Sequence, residues 1–277
     1  DLELFLVELP SDGLTTASRS VVVRLACDAG PEGWGEAVLN WRPSELPSRR
    51  DTLLPVLAGR SVFEVASLLE LDTLDSPALR SAIETAVWDL IGQSAGQPLA
   101  HLWGGMYRSR VPLAARLPQG PPDRTAQLAR ELADQGFHTQ IVCTSGSPEA
   151  DRACVAEVRA AAGDRAELRF DAAGRYERST AAALCAALEM SGVRYCLDPI
   201  VSGAVSELSA LRAATSLPLA ASVGALGARH VLELVCAEAV DGAVVSPDHV
   251  GGLHEVRRAA AVADAAGLTT SLAVSAR

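Results

Sequence analysis

Residues 80–105 read RSAIETAVWDLIGQSAGQPLAHLWGG. Apolar Ile83, Ala86, Val87, Leu90 and Ile91 recur at helical spacing, which buries one face. Glu84 places a charge on this helix, and Asp89 follows its one tryptophan, Trp88. Gly92 and Gly96 loosen its end, and Pro98 stops it, because proline fixes φ and removes a donor. Leu99 and Leu102 then carry the chain to Trp103, Gly104 and Gly105. On periodicity alone the stretch is an amphipathic helix and no more.

N-terminal to it, residues 2–9 alternate loosely and end in a breaker at 10–13, a strand followed by a turn. Residues 20–27, SVVVRLAC, are the clearest strand of this region, and Gly33-Trp34-Gly35-Glu36-Ala37 opens the next after a turn. Residues 41–47 read as irregular, and 51–58 and 62–71 as helices. C-terminal to it the character changes. Short apolar runs at 112–115, 140–143, 168–171, 195–197, 219–221, 243–246 and 269–274 alternate with Ala-rich helices at 124–135, 147–162, 179–191, 205–215, 227–237 and 253–266. A spacing of about 23 to 28 residues is one strand–helix unit. Continuous apolar strands between helices predict a parallel sheet covered on both faces, and seven units in a row favour a barrel over an open doubly wound sheet. No G-x-G-x-x-G or Walker loop follows a strand, so a nucleotide fold would lack its phosphate cradle.

Composition narrows the function classes. The chain has 277 residues, 49 % of them apolar, with no run of about 18 or more to span a bilayer. The start lacks a basic segment followed by an apolar stretch and cleavage site. Six cysteines without a C-x-x-C pair fit reduced, mostly buried thiols, and the expected location is the cytoplasm. A net charge of −10 argues against nucleic acid and anionic membranes as partners. All 24 basic residues are arginines. Arginine stays protonated near neutral pH, so any mechanism needing a titrating lysine is closed to this chain.

The order A-x-E-x-A-x-W-D-L-x-G-x-x-x-G-x-P-L ending in G-G resembles the cap–barrel hinge of the enolase superfamily, in its muconate-lactonizing and o-succinylbenzoate-synthase branch. The hairpin ending in G-W-G-E-A resembles the sheet of that family's cap. The resemblance implies an α+β capping domain over residues 1–107 and a TIM-type (β/α)7β barrel over 108–277, with residues 11–18 in the place of the loop that covers the substrate. It also implies an eighth strand and a C-terminal return onto the cap. The chain stops at Arg277 after seven runs, so the barrel is expected to be short of its last strand, or that segment lies outside this sequence; a partner copy could cover the edge.

The chemistry implied by the resemblance is abstraction of a proton α to a carboxylate, with Mg²⁺ stabilising the enediolate. Three carboxylates on the third to fifth barrel strands hold the metal, and lysines on the second and sixth act as acid and base. A hard cation wants several oxygen ligands, and the enolate charge must be met in the transition state. The family register puts Ile141 and Cys143 at the two lysines of the second strand and Ser246 at that of the sixth. Cys143 has no basic neighbour in sequence and reads as a buried thiol. Asp171 stands at the first metal position, followed by Ala173 where the family has Asn. Anchored on Pro199, the second ligand position is Leu197; Asp198 is one residue off, and alternation turns it to the other face unless a bulge restores it. The third ligand position is Ser222. Asp248 and His249 lie just beyond the sixth strand as a weaker acid–base pair, with His249 expected in solvent. The reading is a divergent member unable to run the ordinary Mg²⁺/lysine reaction; the alternative is an isomerase or lyase acting on a small carboxylate through a rearranged site using Asp171, Asp198, Asp248 and His249.

Overall fold

The computed structural model describes residues 1–9, 18–28 and 30–274. Of the covering loop expected at 11–18, residues 11–17 lie outside the described residues, and Ser18 opens a strand. Strands β1 (Leu2–Leu9), β2 (Ser18–Ala26) and β3 (Glu32–Ala37) form an antiparallel sheet in the order β1-β2-β3. Helices α1 (Leu46–Leu57), α2 (Val65–Leu69), α3 (Pro77–Ala95) and α4 (Leu99–Leu102) follow. α1 begins five residues before the expected 51, because Pro47 sits in its first turn, where its missing N–H has no helical partner to lose.

The opening stretch is α3. Ser76 caps it by accepting the Leu79 N–H at 3.2 Å, Pro77 opens it, and Gly96 ends it with φ +59°. Its buried face carries Leu79, Ala82, Ile83, Ala86, Val87, Leu90 and Ile91, packed with Val21, Val23, Leu25 and Trp41 of the sheet side. The G-W-G motif has a steric reason. A β-carbon at Gly33 or Gly35 would overlap the Ala86 or Ala82 carbonyl, so only glycine lets β3 lie directly on the helix backbone. Asp89 completes the seam by accepting the Trp34 N–H at 3.0 Å.

The second unit is a curled seven-stranded parallel sheet in the order β10-β9-β8-β7-β6-β5-β4, with β4 (Ala114–Leu117), β5 (Thr139–Cys143), β6 (Glu167–Asp171), β7 (Val193–Leu197), β8 (Leu219–Ser222), β9 (Gly242–Val245) and β10 (Thr269–Leu272). Between them run α5 (Pro122–Asp134), α6 (Pro148–Ala162), α7 (Arg178–Met190), α8 (Val205–Arg212), α9 (Ala228–Cys236), α10 (Pro247–Val250) and α11 (Leu253–Ala265). One side-chain phase of the strands, including Val142, Leu168, Phe170, Cys196 and Leu219, is buried against the helices. The other phase faces inward, where Tyr195, Leu197 and Ala220 cluster with Val244. Arg169 of β6 reaches across this interior to the Ser271 hydroxyl of β10 at 3.3 Å, four strands away, which measures the curl. β4 and β10 stand at opposite edges of the sheet. Among the described residues no helix is long and apolar enough to cross a membrane.

Candidate functional site at the strand ends

In a parallel barrel the side chains at the C-terminal strand ends form the mouth. The register aligns Cys143 of β5 with Asp171 of β6 and Asp171 with Leu197 of β7. The sequence-predicted positions therefore do share one rim. What occupies it is different from a carboxylate cluster.

Asp171 is buried, and both its oxygens are engaged. Oδ1 accepts the Ala173 N–H at 2.9 Å, and Oδ2 accepts Arg116 Nη2 at 2.6 Å. Arg116 was not singled out by sequence. The first barrel run was expected at 112–115, but the strand is Ala114–Leu117, two residues later, and this brings Arg116 into the strand and onto its inward face. The same Nη2 lies 3.2 Å from Cys143 Sγ. Cys143 thus has a basic neighbour after all, supplied by the adjacent strand, and it is half-buried rather than buried. Burial still pushes its thiol pKa up, with Arg116 opposing and Asp171 adding to the shift, so it is held as a thiol. Ile141, at the other lysine position, is a half-buried side chain on the same phase of β5.

Asp198 corrects the alternation argument. Its backbone is left-handed, with φ +44°, which breaks the strand phase just past β7. The carboxylate turns onto Ser222, accepting its N–H on Oδ1 at 2.7 Å and its hydroxyl on Oδ2 at 2.6 Å. Burial raises the Asp198 pKa; the two Ser222 bonds oppose this, Asp171 adds like-charge repulsion, and His230 opposes it. His230, on α9, is a second residue that sequence reasoning missed; its Nδ1 accepts the Gly224 N–H at 3.1 Å. Leu197 is packed with Tyr195 and Ala220 in the interior cluster. Ala173 also has a left-handed backbone, φ +49°, so two of the three such non-glycine residues among those described flank the mouth. The loop ends behind the rim are tied by a buried network in which Thr144 and Tyr176 hydroxyls meet Asp151, and the Ser145 N–H reaches its Oδ1 at 2.7 Å.

Ser246 is buried at the end of β9. Asp248 and His249 sit on the single-turn α10, which packs against α3, and His249 is exposed as expected. Their helix lies on the cap–barrel seam.

The donor set does not fit Mg²⁺. Such an ion takes hard oxygen ligands in near-octahedral array, usually including one or two free carboxylates. Here Asp171 is neutralised by a guanidinium, Leu197 offers no lone pair, and Asp198, the other rim carboxyl, is already held by the Ser222 N–H and hydroxyl. Among the described residues no three His, Cys, Asp or Glu side chains come together as metal ligands.

Comparison with known proteins gives the family. A family model described as enolase C-terminal domain-like matches residues 124–276, and one described as the mandelate racemase/muconate lactonizing enzyme N-terminal domain matches 10–104. Muconate cycloisomerase 1 of Rhodococcus opacus is 26 % identical over 94 % of this chain and 73 % of its own length. A D-galactonate dehydratase of Verminephrobacter eiseniae is 27 % identical over 89 % of this chain and 69 % of its own. The structure of a dipeptide epimerase from Cytophaga hutchinsonii, solved with Mg and D-Ala-L-Val, superimposes with a TM-score of 0.89 at 22 % identity, covering 98 % of this chain and 78 % of that one. By its two matched domain models, this chain belongs to the mandelate racemase/muconate lactonizing enzyme family of the enolase superfamily.

Proposed function

We propose that this chain is a divergent member of the family whose barrel mouth does not run metal-assisted abstraction of a proton α to a carboxylate. One observation carries the reading: the Arg116 guanidinium, 2.6 Å from Asp171 Oδ2, supplies the positive charge where a metal would have to bind. A divalent ion would have to displace a permanently charged guanidinium from Asp171 and pull Asp198 off its two Ser222 bonds, with Leu197 offering no ligand at the position between them. Lysine is absent from the whole chain, so no lysine base is available to take the proton. The partner in this reading is a small carboxylate molecule, with neither nucleic acid nor membrane.

A second reading rests on Asp198. A carboxyl whose pKa is raised by burial, at the rim and fixed by Ser222, is a candidate for proton transfer. This would make the chain an isomerase or lyase with a rearranged site.

The test is ¹H NMR of α-proton exchange in D₂O, using N-succinyl amino acids and dipeptides as probes. The proposal expects no exchange that depends on added Mg²⁺. Mg²⁺-dependent wash-out of the α-proton signal would overturn it. Exchange that persists in EDTA and disappears in Asp198→Asn would establish the second reading instead.

A further inference from the structure

The cap meets the barrel along one stripe of α3. Arg80, Glu84 and Trp88 lie four residues apart on that helix and so share a face. Opposite them on the barrel side, Arg80 packs against Gly251 and Glu84 against Gly252 and His254, while Trp88 meets Trp103, still within the cap, edge to face at 5.1 Å. Arg257 of α11 closes the row with its guanidinium 4.8 Å from the Trp103 ring centroid.

Glu84 stands out in this row. It is fully buried, yet it is a carboxyl. Its Oε1 accepts the Trp88 indole N–H at 3.0 Å and the His254 backbone N–H at 2.9 Å. Its Oε2 is buried with no donor, and Arg80 Nε and Trp103 Nε1 are buried with no acceptor. Helix α11 begins at Leu253 behind Gly252, which has no side chain to cap it. The first-turn N–H groups of a helix need acceptors, and an anionic group there also complements the helix dipole. That acceptor comes from the other domain, 170 residues earlier in the chain. Gly252 makes room for it: a β-carbon there would overlap Oε2, and its φ of +118° is one that other residues avoid.

We infer that Glu84 is a cross-domain latch, the capping group of α11 supplied by the cap helix, which fixes the cap on the barrel and the 246–252 turn at the rim together. A buried carboxyl with one idle oxygen is a costly way to fill a seam. What it does here is bind an otherwise uncapped helix end, so movement of α3 is transmitted directly to the segment following β9. The inference is independent of whether the mouth is catalytic.

Hydrogen–deuterium exchange of the full chain tests it. In Glu84→Ala, amides of residues 253–256 should exchange about tenfold faster, the size of a lost helix cap, and proteolysis of the 104–113 linker should accelerate. Strands β6 to β8 should keep their wild-type protection. Gly252→Ala, which pushes the carboxyl off without deleting it, should give the same local loss and serves if Glu84→Ala does not fold. Wild-type protection at 253–256 in either variant would overturn the latch. So would an equal loss across β6 to β8, because that is general destabilisation.

Discussion

Removing the charge from one side of the Arg116–Asp171 pair should cost far less than removing it from the other. The Arg116 side chain is 58 % exposed, because β4 is an edge strand, whereas that of Asp171 is 9 % exposed. In Asp171→Asn the new amide still accepts the Ala173 N–H, and the released guanidinium turns into water; for a half-exposed pair the loss is about 0.5–1 kcal/mol. In Arg116→Met the carboxylate stays buried, keeps only the Ala173 bond and faces Asp198 uncompensated. A buried acceptor stripped of a charged partner costs about 1–3 kcal/mol, and we expect about 2. In the double variant methionine faces a neutral amide, so the two losses do not add, and a coupling of about 1 kcal/mol is expected. Urea denaturation of the four proteins in one buffer, with m-values compared, measures it. A coupling within about 0.3 kcal/mol of zero, or Asp171→Asn costing more than Arg116→Met, would refute the claim that Arg116 is the built-in cation of this rim.

Two further outcomes follow from the rim. Because the folded-state pKa of Asp198 is raised above that of the unfolded chain, its neutral form favours folding: that contribution is complete below the ordinary aspartate range and is lost as pH rises through the folded value. Asp198→Asn should therefore lose this part of the pH dependence while Ser222→Ala, which removes an opposing hydrogen bond, enlarges it, as urea midpoints from pH 3 to pH 7 would reveal; identical profiles in all three proteins would contradict the assignment. Ala173 holds a left-handed backbone that costs a non-glycine residue about 1 kcal/mol, so Ala173→Gly or Ala173→Asn should raise the thermal midpoint, and a lower midpoint in both would show that the local geometry is not strained.

The architecture was legible because its signals are local. The apolar spacing of α3, the paired glycines of β3 and the strand–helix alternation each depend on a few neighbouring residues, and each is present in the structure. That Cys143, Asp171 and Leu197 lie side by side was readable too, since each sits at a strand end set by a local glycine or proline. What was hidden is non-local. Arg116 acts on Asp171 across 55 residues, and a two-residue error in placing β4 left it outside the strand. The face of Asp198 hung on whether the strand phase broke, and regular alternation does not foresee the left-handed residue at its end. Glu84 read as an ordinary charge on an amphipathic helix, and only the folded chain reveals the helix end it serves.

The central claim is that this rim carries its own cation and holds no divalent metal. Electron paramagnetic resonance of Mn²⁺ titrated into the purified chain tests it most directly, because free and protein-bound Mn²⁺ give distinct spectra. The account predicts the free-ion signal throughout, with no saturable site tighter than about 1 mM. One Mn²⁺ bound tightly per chain, and lost in Asp171→Ala, would contradict it.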